Sequence, residues 1–321
     1  MRSTTYRRTL LTGVLAVVVA VITPALTAAE DRTLRIGIGG EPGTLDPHRY
    51  NLRIEETVLN DLFLGLTTMN AHGKIVPGSA ASWKVSEDGL IWTFALRDDA
   101  RWSDGESVTA HDFVFGFRRL MDPATAASLA YFLYPIANAE AVNTGEAPID
   151  ELGVRAIDAH TLEIRLEKPF PFLTERLLYP TGYPVPAHVV EKHGDEWVKP
   201  EHIVTNGAYV LIEWRPQGYI ALRKNRNFYD ADNVAIAAVR YLPIADNVAA
   251  YNGYRTGDID LIGDFPPGEI QWLRANRPDD VVISPLLSIM YLVFNVTAEP
   301  FDDGRVRKAL ALAIDRNIIA K

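Results

Sequence analysis

Residues 101–126, RWSDGESVTAHDFVFGFRRLMDPATA, predict a turn, a helix and a helix stop in immediate succession. Ser103-Asp104-Gly105 is typical of a turn, because short polar side chains bond to nearby backbone and glycine can adopt a positive φ. Thr109 is a favourable N-cap, and Asp112 places a carboxylate near the positive end of the helix. Asp122-Pro123 ends the helix, since proline disfavours helical backbone at the residue before it. The stretch therefore predicts a capped helix.

The spacing of apolar residues predicts which side of this helix faces the core. Phe113, Phe117 and Leu120 recur at helical intervals, so they are expected on one buried face. We expect Arg118 and Arg119 to point outward. Packing and capping account for the whole pattern, and the residues alone predict a structural helix without chemistry.

Apolar periodicity elsewhere predicts a mixed α/β chain. Alternating patterns predict strands at 34–38, 209–212, 219–222, 239–242 and 291–295, and hairpins at 83–96 and 154–166. Helical spacing predicts helices at 56–66, 170–178, 247–254, 269–275 and 303–320.

Composition limits the classes of function. The chain has 321 residues, enough for about two domains. Its net charge of −9 argues against a nucleic-acid partner, because such binding depends on Lys and Arg neutralising phosphates. The absence of cysteine excludes a disulfide framework, a thiolate zinc site, a cysteine nucleophile and a lipid-anchor cysteine at a signal junction.

The first 29 residues predict a secretory signal peptide. Three arginines precede the apolar stretch Leu10–Ile22, and Thr27 and Ala29 are small residues suited to cleavage after Ala29. The apolar stretch is shorter than the roughly 20 residues that span a bilayer. Arg7-Arg8 leaves both Sec and Tat export open. Cleavage would remove three of the 32 basic residues and none of the 41 acidic ones, so the net charge would change to −12.

The sequence lacks the common motifs for catalysis and for metal or cofactor binding. The sequence has no G-x-S-x-G elbow, no H-E-x-x-H and no phosphate loop. After Gly37-x-Gly39, Pro42 stands where a dinucleotide fingerprint needs its third glycine. His188 and His193 are five residues apart, a spacing that does not place them on one helix face as metal ligands. We therefore predict no catalytic residue, no metal and no cofactor.

The chain resembles the extracytoplasmic solute-binding proteins, family 5, of oligopeptide ABC importers. The resemblance begins with RWSDG, VTAHDFVF and RRLMDPATA in residues 101–126 and runs in order from about Leu34 to the last residue. Further landmarks are LDPH at Leu45–His48, VPAHVVEKHGDEWVKPEHIVTNGAYVL at Val185–Leu211, YLPI at Tyr241–Ile244, YRTGDID at Tyr254–Asp260 and PFDDGRVRKALALAIDR at Pro300–Arg316.

The resemblance implies an α/β fold: a mixed-sheet, periplasmic-binding-protein-like clamp of the type II style, with an inserted smaller lobe. Residues 31–63 and 204–285 would form the first lobe, and residues 64–203 the inserted lobe. Residues 286–321 would begin a third lobe. A full-length member is considerably longer, so we expect the second clamp half to be largely missing.

The resemblance also implies function. The protein would be a periplasmic, monomeric, non-enzymatic subunit that captures short peptides between two closing lobes. Its partners would be the permease and ATPase subunits of an inner-membrane importer. Backbone hydrogen bonds are independent of peptide sequence, and hydrated pockets tolerate varied side chains.

Six positions carry over from the family as peptide-binding candidates. Asn51, Leu52 and Arg53 would supply a backbone edge, Gly263 and Asp264 would line a pocket, and Tyr291 would be an aromatic residue of the third-lobe hinge strand. Simpler interpretations are that Tyr291 is a packed strand residue and that Asp264 is a turn residue. Leu129 stands where some members have a pocket tyrosine.

Other functions stay open. The same scaffold could bind another solute, such as a nickel chelate or a sugar, or the chain could be a truncated remnant that binds nothing. An exported hydrolase is opposed by the missing nucleophile motifs.

Overall fold

Residues 33–284 and 291–319 are described by the computed structural model of the chain, so the predicted signal peptide lies outside the described residues. The described residues divide into two units, one up to Pro267 and one from Gly268 onward.

The strands and helices are numbered in chain order. The strands are β1 (Thr33–Ile38), β2 (Thr67–Met69), β3 (Ile75–Pro77), β4 (Ala80–Val85), β5 (Ile91–Leu96), β6 (Val154–Asp158), β7 (Thr161–Arg165), β8 (Tyr209–Arg215), β9 (Tyr219–Lys224), β10 (Ala238–Pro243) and β11 (Leu261–Ile262). The helices are α1 (Arg53–Leu62), α2 (Ala110–Met121), α3 (Ala139–Asn143), α4 (Leu173–Arg176), α5 (Ala187–His193), α6 (Asn247–Thr256), α7 (Ile270–Asn276), α8 (Gly304–Ala313) and α9 (Arg316–Ile319).

The first unit contains a mixed five-stranded sheet in the order β11-β1-β10-β9-β8. The strand β1 runs parallel to both β10 and β11, whereas β10, β9 and β8 pair antiparallel. Buried apolar side chains alternate along β9 at Ile220 and Leu222, as expected for a strand with one face on the core. The mixed sheet confirms the predicted fold class.

A four-stranded antiparallel sheet, β4-β5-β7-β6, contains both predicted hairpins. Trp92 lies opposite Ile164 and Phe94 opposite Leu162, and all four side chains are buried. These cross-strand pairs share one face because side chains alternate along a strand. The sheet packs against α2 through β6 and β7.

The helix α2 confirms the predicted caps and core face. The Thr109 N–H donates to Asp112 Oδ2 at 2.8 Å, and Phe113, Phe117 and Leu120 are buried. The prediction that Arg119 points outward is wrong: its side chain is only 12% exposed and pairs with buried Asp46.

Three predicted helices have different limits. The helix predicted at 56–66 is α1, which begins earlier because Glu55 supplies its capping box and ends before the chain crosses to the next sheet. The helix predicted at 170–178 is the single turn α4. In the second unit, the helix predicted at 303–320 is divided, because the backbone at Ile314 is extended.

The second unit shows no strand at 291–295, where one was predicted. A strand needs a partner for its backbone groups, and no described residue pairs with this segment. Within the described ranges, no helix has both the length and the apolar character required to cross a membrane.

The strands segregate by sequence position. The five-stranded sheet takes its strands from 33–38 and 209–262, whereas the four-stranded sheet and a two-stranded antiparallel sheet of β2 and β3 take theirs from 67–165. The predicted lobe boundaries lie between these ranges and stay a prediction.

Candidate functional site

The predicted peptide-binding edge, Asn51, Leu52 and Arg53, is exposed at the start of α1. The carboxylate of buried Glu55 holds it in place. One Glu55 oxygen accepts the Gly43 N–H at 2.9 Å, and the other accepts the N–H groups of Asn51 and Leu52 at 2.8 and 2.9 Å. Because these two edge amides are engaged, a ligand would meet the side chains of the edge and the Asn51 carbonyl.

Gly263 and Asp264 directly follow β11 and are exposed. Because β1 and β11 are parallel, with Gly37 beside Ile262, their carboxyl ends meet at one edge of the sheet. The loop that leads from β1 to the 51–53 edge starts at that same edge. Ligands in open α/β sheets bind outside the carboxyl ends of the strands. Two of the three predicted groups, residues 51–53 and residues 263–264, thus follow the carboxyl ends of parallel strands.

Tyr291 belongs to the second unit, where its side chain is 70% exposed. The interpretation of Tyr291 as a packed strand aromatic is therefore wrong for the described residues. The predicted contact between Tyr291 and a ligand stays a prediction.

The LDPH motif forms a buried ionic cluster with α2. Arg119 binds the Asp46 carboxylate through two hydrogen bonds of 2.9 and 2.6 Å. The Arg119 guanidinium also donates to Nδ1 of His48 at 3.0 Å, so the His48 Nε2–H donates to the Tyr183 carbonyl at 3.2 Å. This motif fastens the loop before α1 to α2.

The cluster sets the protonation states of its members. Burial, reinforced by the Arg119 charge, lowers the pKa of His48 to about 4, so this imidazole is neutral at pH 7. Burial alone would raise the pKa of Asp46, but the hydrogen bonds and charge of Arg119 outweigh it and hold this pKa below its ordinary value. The cluster is a structural feature with all of its charges paired.

The TNGAY motif, Thr205–Tyr209, connects the two segments in which the chain crosses between the sheets. The Asn206 side chain accepts the Leu64 N–H at 3.0 Å and donates to the Leu64 carbonyl at 2.9 Å. The Gly207 N–H donates to the Leu62 carbonyl at 2.8 Å. A Cβ at Gly207 would lie 2.6 Å from the Leu62 carbonyl carbon, so only glycine fits there. The TNGAY motif therefore has a structural role: it holds the two crossing segments together.

An open cavity of about 500 Å³ lies beside the LDPH cluster. Arg49 and Arg118 line it, but Asp195 and Asp150 neutralise them at 3.0 and 3.1 Å. Within the described ranges, no group of three His, Cys, Asp or Glu side chains could hold a metal ion. Neither observation supports an ion site.

Glu55 and Glu56 are adjacent on α1, but only Glu55 takes part in the capping box of the helix. Glu56 is half-buried on α1, and burial raises the pKa of its carboxyl group. The spacing of four residues between Leu52 and Glu56 could have indicated that Glu56 lies on the same side of α1 as the 51–53 edge, since residues four apart share a helix face.

Comparison with known proteins identifies relatives. The family model "Bacterial extracellular solute-binding proteins, family 5 Middle" matches residues 74–321. The periplasmic oligopeptide-binding protein OppA of Escherichia coli is 41% identical over 99% of this chain and 60% of its own length. The probable deoxycholate-binding periplasmic protein YgiS of Escherichia coli is 41% identical over 91% of this chain and 55% of its own.

A solved structure agrees with the fold. The murein tripeptide-binding protein MppA of Escherichia coli superimposes with a TM-score of 0.87 and 42% identity, over 91% of this chain and 57% of MppA. The chain thus spans little more than half the length of these relatives.

Proposed function

The chain belongs to the bacterial extracellular solute-binding proteins, family 5, and from this premise we propose that the whole protein captures short peptides for an ABC importer. The supporting observation is its identity of 41% with oligopeptide-binding OppA over 99% of this chain. The resemblance predicted from RWSDG, LDPH and TNGAY is confirmed by the family match.

The proposed near wall of the peptide site is Asn51, Leu52 and Arg53 together with Gly263 and Asp264. Its support is that both segments are exposed and follow the carboxyl ends of parallel strands. Tyr291 is proposed as a contact on the family resemblance alone. Backbone-directed contacts would let one site accept many peptide sequences.

The proposed physiological role is to deliver a bound peptide to a transporter, without catalysing a reaction on it. Members of the family are solute-binding proteins, and we propose that this one releases its peptide unaltered to permease and ATPase subunits of an inner-membrane importer. We propose a periplasmic monomer exported by residues 1–29. Amino-terminal sequencing of the exported protein should begin at Glu30, or at Ala29 if cleavage follows Ala28; an intact Met1 would contradict export by cleavage.

Isothermal titration calorimetry tests peptide capture. The protein expressed from its complete gene is titrated with di- to pentapeptides, and saturable binding is expected. Asp264→Asn and Arg53→Ala should weaken it, whereas Glu87→Gln, a change at an exposed turn of β4 and β5, should leave it unchanged. The absence of binding for every peptide length would reject the proposal.

A second candidate is the binding of a non-peptide solute. Its support is the 41% identity with a probable deoxycholate-binding protein, equal to that with OppA. Deoxycholate is therefore the matched alternative ligand in the same titration, and nickel chelates and sugars extend the panel.

A further inference from the structure

The open cavity of about 500 Å³ is lined by one face of α2 and by residues of and after α5. Phe115 and Arg118 contribute from α2, where residues three apart share a helix face. Val190 contributes from α5, and Asp195 follows the end of that helix. Binding sites for small molecules are concave and have volumes of about 300–1,000 Å³. The cavity therefore has the size of a site for a small ligand.

Three apolar side chains line the cavity without being fully buried. Phe115, Ile149 and Val190 pack against the hydrophobic core, and each stays partly exposed. We call these three residues the apolar wall. Because the removal of apolar surface from water is favourable, the apolar wall would attract the apolar body of a ligand.

Two guanidinium groups line the same cavity. Arg49 pairs with Asp195 at 3.0 Å, and Arg118 pairs with Asp150 at 3.1 Å. The side chains of Asp195 and Asp150 are 76% and 80% exposed. Exposed ion pairs contribute little stability, because their Coulomb attraction is weak in water. A ligand carboxylate could therefore replace either aspartate at little cost.

The hydrogen-bonding capacity that is left unused at a buried atom of the cavity wall belongs to a donor. Arg49 Nε donates to the Thr125 carbonyl at 3.1 Å, but Arg118 Nε is buried and has no acceptor among the described residues. A buried donor without an acceptor costs free energy. The Asp122 carboxylate, in contrast, is engaged by the Ala124 N–H at 2.9 Å. The cavity thus favours a ligand that supplies an acceptor.

We propose that this cavity is a binding site for an amphipathic carboxylate, a small molecule with an apolar body and one carboxylate group. The body would cover the apolar wall, and the carboxylate would accept hydrogen bonds from Arg118 and Arg49. A planar guanidinium matches the geometry of a carboxylate. A free inorganic anion is disfavoured, because both arginine charges are already balanced and such an ion gains nothing from the apolar wall.

The proposed site shares no residue with the proposed peptide site. None of the six peptide-binding candidates lines the cavity. The inference therefore goes beyond peptide capture and does not depend on it.

The experiment compares three ligands that differ in one feature each. Octanamide keeps the apolar chain of octanoate and removes its charge, whereas acetate keeps the carboxylate and removes the chain. Each ligand is titrated into the protein expressed from its complete gene, and ligand-observed NMR measures the Kd. Octanoate should bind about tenfold more tightly than either of the other two, because only octanoate uses both the guanidinium donors and the apolar wall.

Two variants test the residues of the site. Arg118→Gln should weaken octanoate binding about tenfold and affect octanamide much less, because a charge-assisted hydrogen bond is lost. Val190→Thr keeps the shape of the side chain and should weaken octanoate binding about threefold, because a hydroxyl group replaces one methyl group of the apolar wall.

Arg215→Gln is the matched control for Arg118→Gln. Arg215 is an exposed arginine of β8 that pairs with Glu213 at 2.9 Å and does not line the cavity. This variant should bind octanoate as tightly as the unchanged protein. Thermal unfolding confirms that each variant is folded.

The outcomes separate this site from peptide capture. The absence of octanoate binding, equal affinity for octanoate and octanamide, or an octanoate affinity that survives Arg118→Gln overturns the proposed site. Direct competition between octanoate and a bound peptide also overturns it, since the two sites share no residue. Failure of all di- to pentapeptides, with octanoate binding intact, rejects peptide capture and supports the cavity site.

Discussion

Arg118 and Arg119 are adjacent on α2 but occupy opposite environments. The Arg119 side chain is 12% exposed and its partner Asp46 is buried, whereas Arg118 is 39% exposed and pairs with exposed Asp150. Arg119→Ala should lower the free energy of unfolding by about 3–5 kcal/mol, because it leaves Asp46 buried without a counter-charge.

The matched control for this prediction is Arg118→Ala, which should lower the free energy of unfolding by less than about 1 kcal/mol, as for other exposed ion pairs. Urea unfolding followed by circular dichroism measures both. Similar losses for the two variants would contradict the assignment of a buried pair.

His48 should make the stability of the protein dependent on pH. Its pKa is about 4 in the folded protein and 6.5 in its unperturbed state. The unfolded chain therefore takes up a proton first as the pH falls, and the stabilisation present above pH 6.5 is lost on approach to pH 4. The full loss is about 3 kcal/mol.

Unfolding free energies at pH 7 and pH 5 test this prediction, a range chosen because the lowered pKa of Asp46 acts at more acidic pH. His48→Gln keeps a neutral polar side chain and should show a shallower decline between the two values. An unchanged decline in the variant would assign the pH dependence to other groups.

At the scale of elements, the junction between α1 and β8 depends on the absence of a side chain at Gly207. A Cβ there would lie 2.6 Å from the Leu62 carbonyl carbon and 2.7 Å from the Asp61 carbonyl oxygen. Gly207→Ala must move the end of α1 away from the crossing. We expect a loss of about 1–3 kcal/mol in unfolding free energy, as for other overpacked sites.

Gly39→Ala is the control for this element, since a Cβ at Gly39 meets nothing within 4 Å. It should change the unfolding free energy by less than about 0.5 kcal/mol. If Gly207→Ala were equally harmless, the close contact between the crossing and α1 would not be important for stability.

At the scale of the whole molecule, a true ligand should raise the melting temperature. A ligand at one hundred times its Kd adds about 2.7 kcal/mol to the free energy of unfolding. For units of roughly 150–250 residues this corresponds to about 5–10 °C. Differential scanning fluorimetry with peptides and with deoxycholate should therefore show a shift for only the solute class that binds.

A shift with deoxycholate and none with any peptide would favour the second candidate function. The shift should also disappear when the ligand is diluted well below its Kd, since linkage depends on free ligand concentration. A shift that persists on dilution would indicate an effect unrelated to binding at one site.

Much of the local structure could be predicted from residues close together in the chain. Thr109 and Asp112 predicted the start of α2, and alternating Trp92 and Phe94 predicted a strand with one buried face, because caps and side-chain periods depend on neighbouring residues. The family motifs predicted the mixed sheet and the peptide-binding class.

The remaining features depend on partners far away in sequence. Arg119 follows the exposed pattern of its helix, yet Asp46, 73 residues earlier, holds it in the core. Glu56 resembles Glu55 in sequence, but the Asn51 and Leu52 amides bind Glu55, whereas burial raises the pKa of Glu56. Caps, turns and strand faces follow from short-range backbone chemistry and are therefore encoded locally in the chain. Which charges are buried depends on the distant segments that pack around each side chain, so it becomes visible only in the folded protein.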